Sequence, residues 1–156
     1  MATRSTICVV LRKEDIGKTM SFDLSKLPKD YKYKQGDECN IEDMPQVTLT
    51  KPILEIYHHW DGYPEGVGKT LLKDFNDYDT ILNLLLGGDA STINGGVCQY
   101  YAWRNEDWES VKPKCVEEAY CSEEYVYKFE DGVWSFMHWD ESEWHDLAEY
   151  LSNMEE

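Results

Sequence analysis

His-Trp-Asp occurs twice in this chain, at His59-Trp60-Asp61 and again at His138-Trp139-Asp140. On an extended strand, residues i and i+2 share a face, so each imidazole can lean on its own carboxylate. An aspartate beside a histidine orients the ring and favours its protonated form, which suits general acid–base work or metal ligation. Were the two segments on neighbouring strands, His59, Asp61, His138 and Asp140 would converge on one catalytic or metal-assisted site. The competing account is plainer: a packed, hydrogen-bonded histidine on a hairpin face, and aspartates that cap strand ends.

The first repeat lies in the chemically densest stretch, Tyr57-His58-His59-Trp60-Asp61-Gly62-Tyr63-Pro64-Glu65-Gly66-Val67-Gly68-Lys69-Thr70. Its closing Gly-Lys-Thr invites a phosphate-loop reading. That pattern requires glycine five residues before Gly68, where Tyr63 stands, and Pro64 removes an amide from the loop. What survives is weaker: Tyr63 and Lys69 as candidate ligand-binding residues, with Lys69 at a helix start suited to an anionic group. No serine sits in a nucleophile elbow, and no cysteine is singled out by a neighbouring histidine.

Charge is the strongest compositional signal. The formal net charge is −16 over 156 residues, and it is uneven. Residues 1–80 carry 11 Lys+Arg against 14 Asp+Glu, whereas residues 81–156 carry 4 against 17, a net of −13. Such a surface repels nucleic acid and attracts a basic partner. The candidate interaction surface is Glu117, Glu118, Glu123, Glu124, Asp140, Glu141, Glu143, Asp146 and Glu149. The five cysteines are odd in number and form no Cys-x-x-Cys pair, which favours reduced thiols. No apolar run is long enough to span a membrane, and the N-terminus lacks the apolar core of a secretory signal.

These residues need elements to hold them. Residues 3–12 are β-branched and apolar and predict a first strand; Ile53 to Trp60 predicts a second, opened by Pro52. The polar segment 13–51, broken by Gly17, Pro28, Gly36 and Pro45, reads as an excursion between those paired strands. Its one basic patch, Tyr31-Lys32-Tyr33-Lys34, suits an edge strand. Helices are expected at 68–75 and at Tyr78–Leu86, the second capped by Asp77 and stopped at Gly87-Gly88. Residues from Gly88 to Gly96 read as a glycine-bearing loop before a strand at Val97–Trp103. Asp131-Gly132 predicts a two-residue hairpin turn, with Phe129 opposite Trp134, Tyr127 opposite Phe136 and Tyr125 opposite His138. A last helix is expected from Ser142. The fold class this implies is α+β: one domain, 1–156, with an antiparallel sheet of four to five strands and helices packed on it.

Two stretches also resemble a known group of proteins. Met1-Ala2-Thr3-Arg4-Ser5-Thr6-Ile7 resembles the start, and His59-Trp60-Asp61-Gly62-Tyr63-Pro64 with Gly68-Lys69-Thr70-Leu71-Leu72 the central motif, of a family of small uncharacterised bacteriophage and prophage proteins. Gly88-Asp89-Ala90-Ser91-Thr92-Ile93 is similar to a weaker motif of that family. The chain departs from it in its long 13–51 excursion and in His58, where cysteine is common. The resemblance implies a phage or prophage origin and carries over no catalytic residue.

Two functional expectations result. The favoured one is a phage-encoded acidic interaction protein, non-enzymatic and without cofactor or resident metal, acting in the bacterial cytoplasm. It would bind and inhibit a basic host protein, such as a nucleic-acid-handling defence nuclease, by imitating a phosphate backbone (anti-CRISPR or similar anti-defence). It would touch neither nucleic acid nor membrane itself. The alternative is a small-molecule or nucleotide-binding protein, or a metal-assisted hydrolase, using the 57–70 junction.

Overall fold

The computed structural model describes residues 2–28, 31–33, 45–104 and 106–154. Its centre is β1 (Ser5–Val10), whose Ser-Thr-Ile-Cys-Val-Val run is buried nearly throughout, as suits a strand covered on both faces. Residues from Lys13 onward leave the sheet and return at β5 (Ile53–His58), which pairs antiparallel with β1 from Ser5↔His58 to Val10↔Ile53. Along the way lie β2 (Thr19–Met20), β3 (Lys32–Tyr33) and β4 (Val47–Thr48). The excursion is anchored in the core by Phe22, Leu27, Val47 and Leu49. Strand β3 is an edge strand, as its composition suggests; Lys34 of the basic patch lies outside the described residues.

After β5 come α1 (Lys69–Asp74), α2 (Tyr78–Leu86), β6 (Ala90–Asn94), β7 (Val97–Tyr100), α3 (Trp108–Val111) and β8 (Lys114–Val116). The chain ends in β9 (Tyr125–Glu130), β10 (Val133–His138), β11 (His145–Asp146) and α4 (Leu147–Met154). The main sheet runs β11-β10-β9-β1-β5-β6-β7-β3, with β8 also pairing to β5; β2 and β4 form a separate pair. This corrects the expected antiparallel sheet of four to five strands. The class is α+β, but the sheet is larger and mixed: β1–β9, β5–β6 and β3–β7 are parallel. A parallel partner must come from far along the chain through a crossover, so no local turn announces it. The β9–β10 hairpin, being local, has the expected register, including Tyr125↔His138, with Asp131 and Gly132 at positive φ in its turn.

Three further expectations are corrected. The stretch from Ala90 to Asn94, read as loop, is β6. Its pairing with β5 is a single bridge, His58↔Ala90, so most of its support comes from β7. The second strand stops at His58, not Trp60. The last helix starts at Leu147 rather than near Ser142, because residues 145–146 add β11 to the edge of β10 first. Asp146 then accepts from the Glu149 N–H at 2.9 Å, as an N-cap side chain does.

The two faces of the sheet are dressed differently. One carries Ile7 and Val9, Leu54 and Ile56, Tyr127 and Phe129, Trp134 and Phe136, and the apolar sides of α1, α2 and α4 pack onto it. The other carries Cys8, Ile53 and Val126, covered by Val116, Ala119, Cys121, Met137 and Trp144, none of which belongs to a helix. The connection from β8 to β9, rich in carboxylates, therefore lies over a face on which, among the described residues, no helix packs.

Candidate functional site

The junction after β5 is built from backbone and small residues. Asp61 adopts φ 56°, and its carbonyl accepts from the Val67 N–H at 2.8 Å. Gly62 is pinned on both sides: its N–H donates to the Thr3 carbonyl at 2.8 Å, and its carbonyl accepts from the Tyr127 hydroxyl at 2.6 Å. Pro64 opens a π-helical turn, Pro64–Gly68, that feeds α1. A Cβ on Gly66 would lie 2.3 Å from the Asp61 carbonyl oxygen, and one on Gly62 2.6 Å from that of Thr3. These glycines answer a packing demand.

The side chains of the junction are engaged in the same way. The Asp61 carboxylate accepts from the Asn94 amide at 3.3 Å and from Tyr63 at 3.5 Å. Thr70, buried in α1, donates to the Asn94 side chain at 3.2 Å and accepts from the Gly95 N–H at 3.1 Å. Asp61 thus ties the turn to the β6–β7 corner and does not orient His59. The His59 ring meets the Tyr57 hydroxyl at 2.6 Å instead.

His58, the unassigned neighbour, is fully buried. Its Nε2 accepts from the Ile93 N–H at 3.0 Å, which leaves Nδ1 to donate to the Ser5 hydroxyl at 3.3 Å. Burial, helped by the charge of His59, pushes its pKa down to about 3, so it is a neutral core imidazole at ordinary pH.

The two His-Trp-Asp repeats do not meet. Register places His58, Ser5, Tyr125 and His138 on one face of the sheet, and Tyr57, to which His59 is bonded, on the other. The shared site of His59, Asp61, His138 and Asp140 is not formed. Within the second repeat the pairing does form: the His138 Nδ1 contacts the Asp140 carboxylate, and the His145 Nε2 contacts Glu141.

Lys69 lines an open cleft of about 510 Å³ with Lys73, Thr70, Glu65, Tyr31, Asp74 and the Gly95-Gly96 turn. Among the described residues neither lysine has an ion-pair partner. Tyr63 is not part of its wall. Lys73 was not legible as a partner of Lys69, although the i, i+4 spacing on a helix puts both on one side.

The acidic candidates are placed at the surface. Glu117, Glu118, Glu124, Asp140, Glu141, Glu143, Asp146 and Glu149 are exposed and Glu123 is half-buried. Among the described residues none of them is paired with a lysine or arginine; only Asp140 and Glu141 have ionic contacts, both to histidines. Glu123, Glu124 and Trp139 share an open hollow of about 600 Å³ with Ala2 and Arg4. The Trp139 backbone N–H donates to the Glu124 carbonyl at 2.9 Å, and the residue is 62% exposed. That exposed indole was missed from sequence, where an aromatic is first counted toward the core.

A third group was also missed. Asp89 is buried, accepts from the Tyr57 N–H at 2.9 Å, and lies 4.0 Å from the Lys114 ammonium. Burial raises the pKa of both Asp89 and nearby Glu55. Strand β8 pairs β5 only over Ile53–Glu55, and β6 reaches it only at His58. Asp89 fills the fork between them by taking the ladder donor that neither strand accepts.

No helix among the described residues is long and apolar enough to cross a membrane. No protein-family model matches this chain, and no match was found among curated proteins or solved structures.

Proposed function

We propose that this chain is a phage-encoded acidic interaction protein that binds and inhibits a basic host protein, with a nucleic-acid-handling defence nuclease as the favoured class of target. One observation carries the reading: Glu123 and Glu124, which form no ion pair among the described residues, share a hollow at one end of the sheet with Arg4 and the exposed Trp139. A large aromatic within a charged rim is the composition of a protein-binding surface. Unpaired carboxylates cost nothing to strip of an internal partner before they meet a basic groove, and they steer the encounter. The resemblance of the N-terminus and the His59–Leu72 motif to phage proteins supplies the biological setting.

The test is a low-salt pull-down from bacterial host lysate. The native chain is compared with a variant carrying Glu→Gln or Asp→Asn at Glu123, Glu124, Asp140, Glu141 and Glu143. A basic, nucleic-acid-handling protein retained by the native chain alone supports the proposal. Equal retention by both chains, or none by either, contradicts it.

The Lys69–Lys73 cleft favours a second reading, a small anionic ligand held at the 57–70 junction. Nucleotides and inorganic phosphate should then raise the thermal midpoint of the native chain and leave a Lys69→Ala/Lys73→Ala variant unmoved. No shift with any of them removes this reading.

A further inference from the structure

We propose a divalent transition-metal site of the zinc type at the corner between β10 and β11, formed by His138, Asp140 and Glu141 with His145 as the fourth ligand. Potential donor atoms of the first three lie within 4.8 Å of one another. His145 is in contact with Glu141 and pairs across the sheet through Phe136, so it faces the same corner. Two imidazoles and two carboxylates make a nitrogen–oxygen donor set that fits zinc, which takes four such ligands in a tetrahedron. Calcium and magnesium prefer all-oxygen shells, and the histidines disfavour them.

The corner is also prepared mechanically. His138 ends β10, where its ring lies edge-on to Tyr125 at 4.9 Å, and the His145 ring lies 5.4 Å from Phe136. Such packing limits the ring orientations and lowers what ordering the ligands costs. Glu124, bonded through its carbonyl to Trp139, and Glu143, neither in an ion pair among the described residues, add negative potential that concentrates a dication. Bound there, the metal would join the end of β10 to the short edge strand β11, just before α4. It would also neutralise part of the acidic surface.

The experiment is titration of Zn²⁺ into the metal-stripped full chain, followed by calorimetry and by the imidazole proton resonances of its four histidines. The expected result is one saturable site, with the His138 and His145 resonances moving and those of His58 and His59 fixed. His138→Ala should weaken binding by at least about tenfold. Ca²⁺ and Mg²⁺ should give no saturable heat. Absence of saturation, binding that moves no histidine resonance (as capture by Cys115 or Cys121 would), or equal binding of Ca²⁺ would overturn the proposal. The resonance readout needs no variant, so it holds even where a substitution unfolds the chain.

Discussion

At the scale of single residues, His58 makes stability depend on pH. Its folded-state pKa of about 3 lies below the ordinary value of 6.5, so the unfolded chain binds the proton first as pH falls. The stability it contributes is complete above 6.5 and is lost progressively between that value and 3. At pH 5 the loss is about 2 kcal/mol. Urea denaturation at pH 7 and pH 5 should show this drop in the native chain. In His58→Gln, whose amide oxygen can still accept from Ile93, the drop should shrink by that amount; an unchanged drop would assign the acid sensitivity to other groups. Gly66 offers a second residue-level check. With a Cβ forced to 2.3 Å from the Asp61 carbonyl, Gly66→Ala must shift backbone and should cost at least about 2 kcal/mol in the same assay.

At the scale of elements, the fork beside β5 is held by a side chain. Asp89→Ala leaves the Tyr57 N–H without its acceptor and should destabilise by about 1–3 kcal/mol. Asp89→Asn keeps an accepting oxygen and should cost clearly less. Equal losses in the two variants would mean the carboxylate charge matters and the acceptor does not. The fork was illegible in the sequence for a physical reason. Strand β6 begins at Ala90-Ser91-Thr92, weakly apolar and flanked by glycines, and its anchor to β5 is one bridge formed between distant segments. Local chemistry was legible: Asp77 caps α2 by accepting from the Thr80 N–H at 2.9 Å, and Asp131-Gly132 sets the hairpin register. Alternation along β5 correctly separates His58 from Tyr57, yet it cannot say which strand lies beside them, so the meeting of the two repeats was undecidable without topology. Asp61 and His138 show the same limit. Their residue types suggested chemistry, but only the three-dimensional contacts revealed that Asp61 braces a turn while His138 packs on Tyr125 and meets Asp140.

At the scale of the whole molecule, charge and architecture reinforce each other. Helices pack on one face of the sheet, the β8–β9 connection lies over the other, and the β10–β11 corner brings its carboxylates to the rim of the helix-covered face. The acidity of the second half is therefore a property of particular surface segments, visible in the sequence as composition but without a location. An interaction driven by those carboxylates must weaken as salt shortens the Debye length from about 10 Å at 0.1 M to about 3 Å at 1 M. Trp139 contributes through apolar burial, so Trp139→Ala should weaken binding by about 2 kcal/mol without flattening the salt dependence, a separation readable by calorimetry on the purified complex. The most direct measurement is the affinity of the retained host protein across that salt range. The account predicts a steep, continuous loss, abolished in the charge-neutralised variant. An affinity that stays flat as ionic strength rises would contradict it.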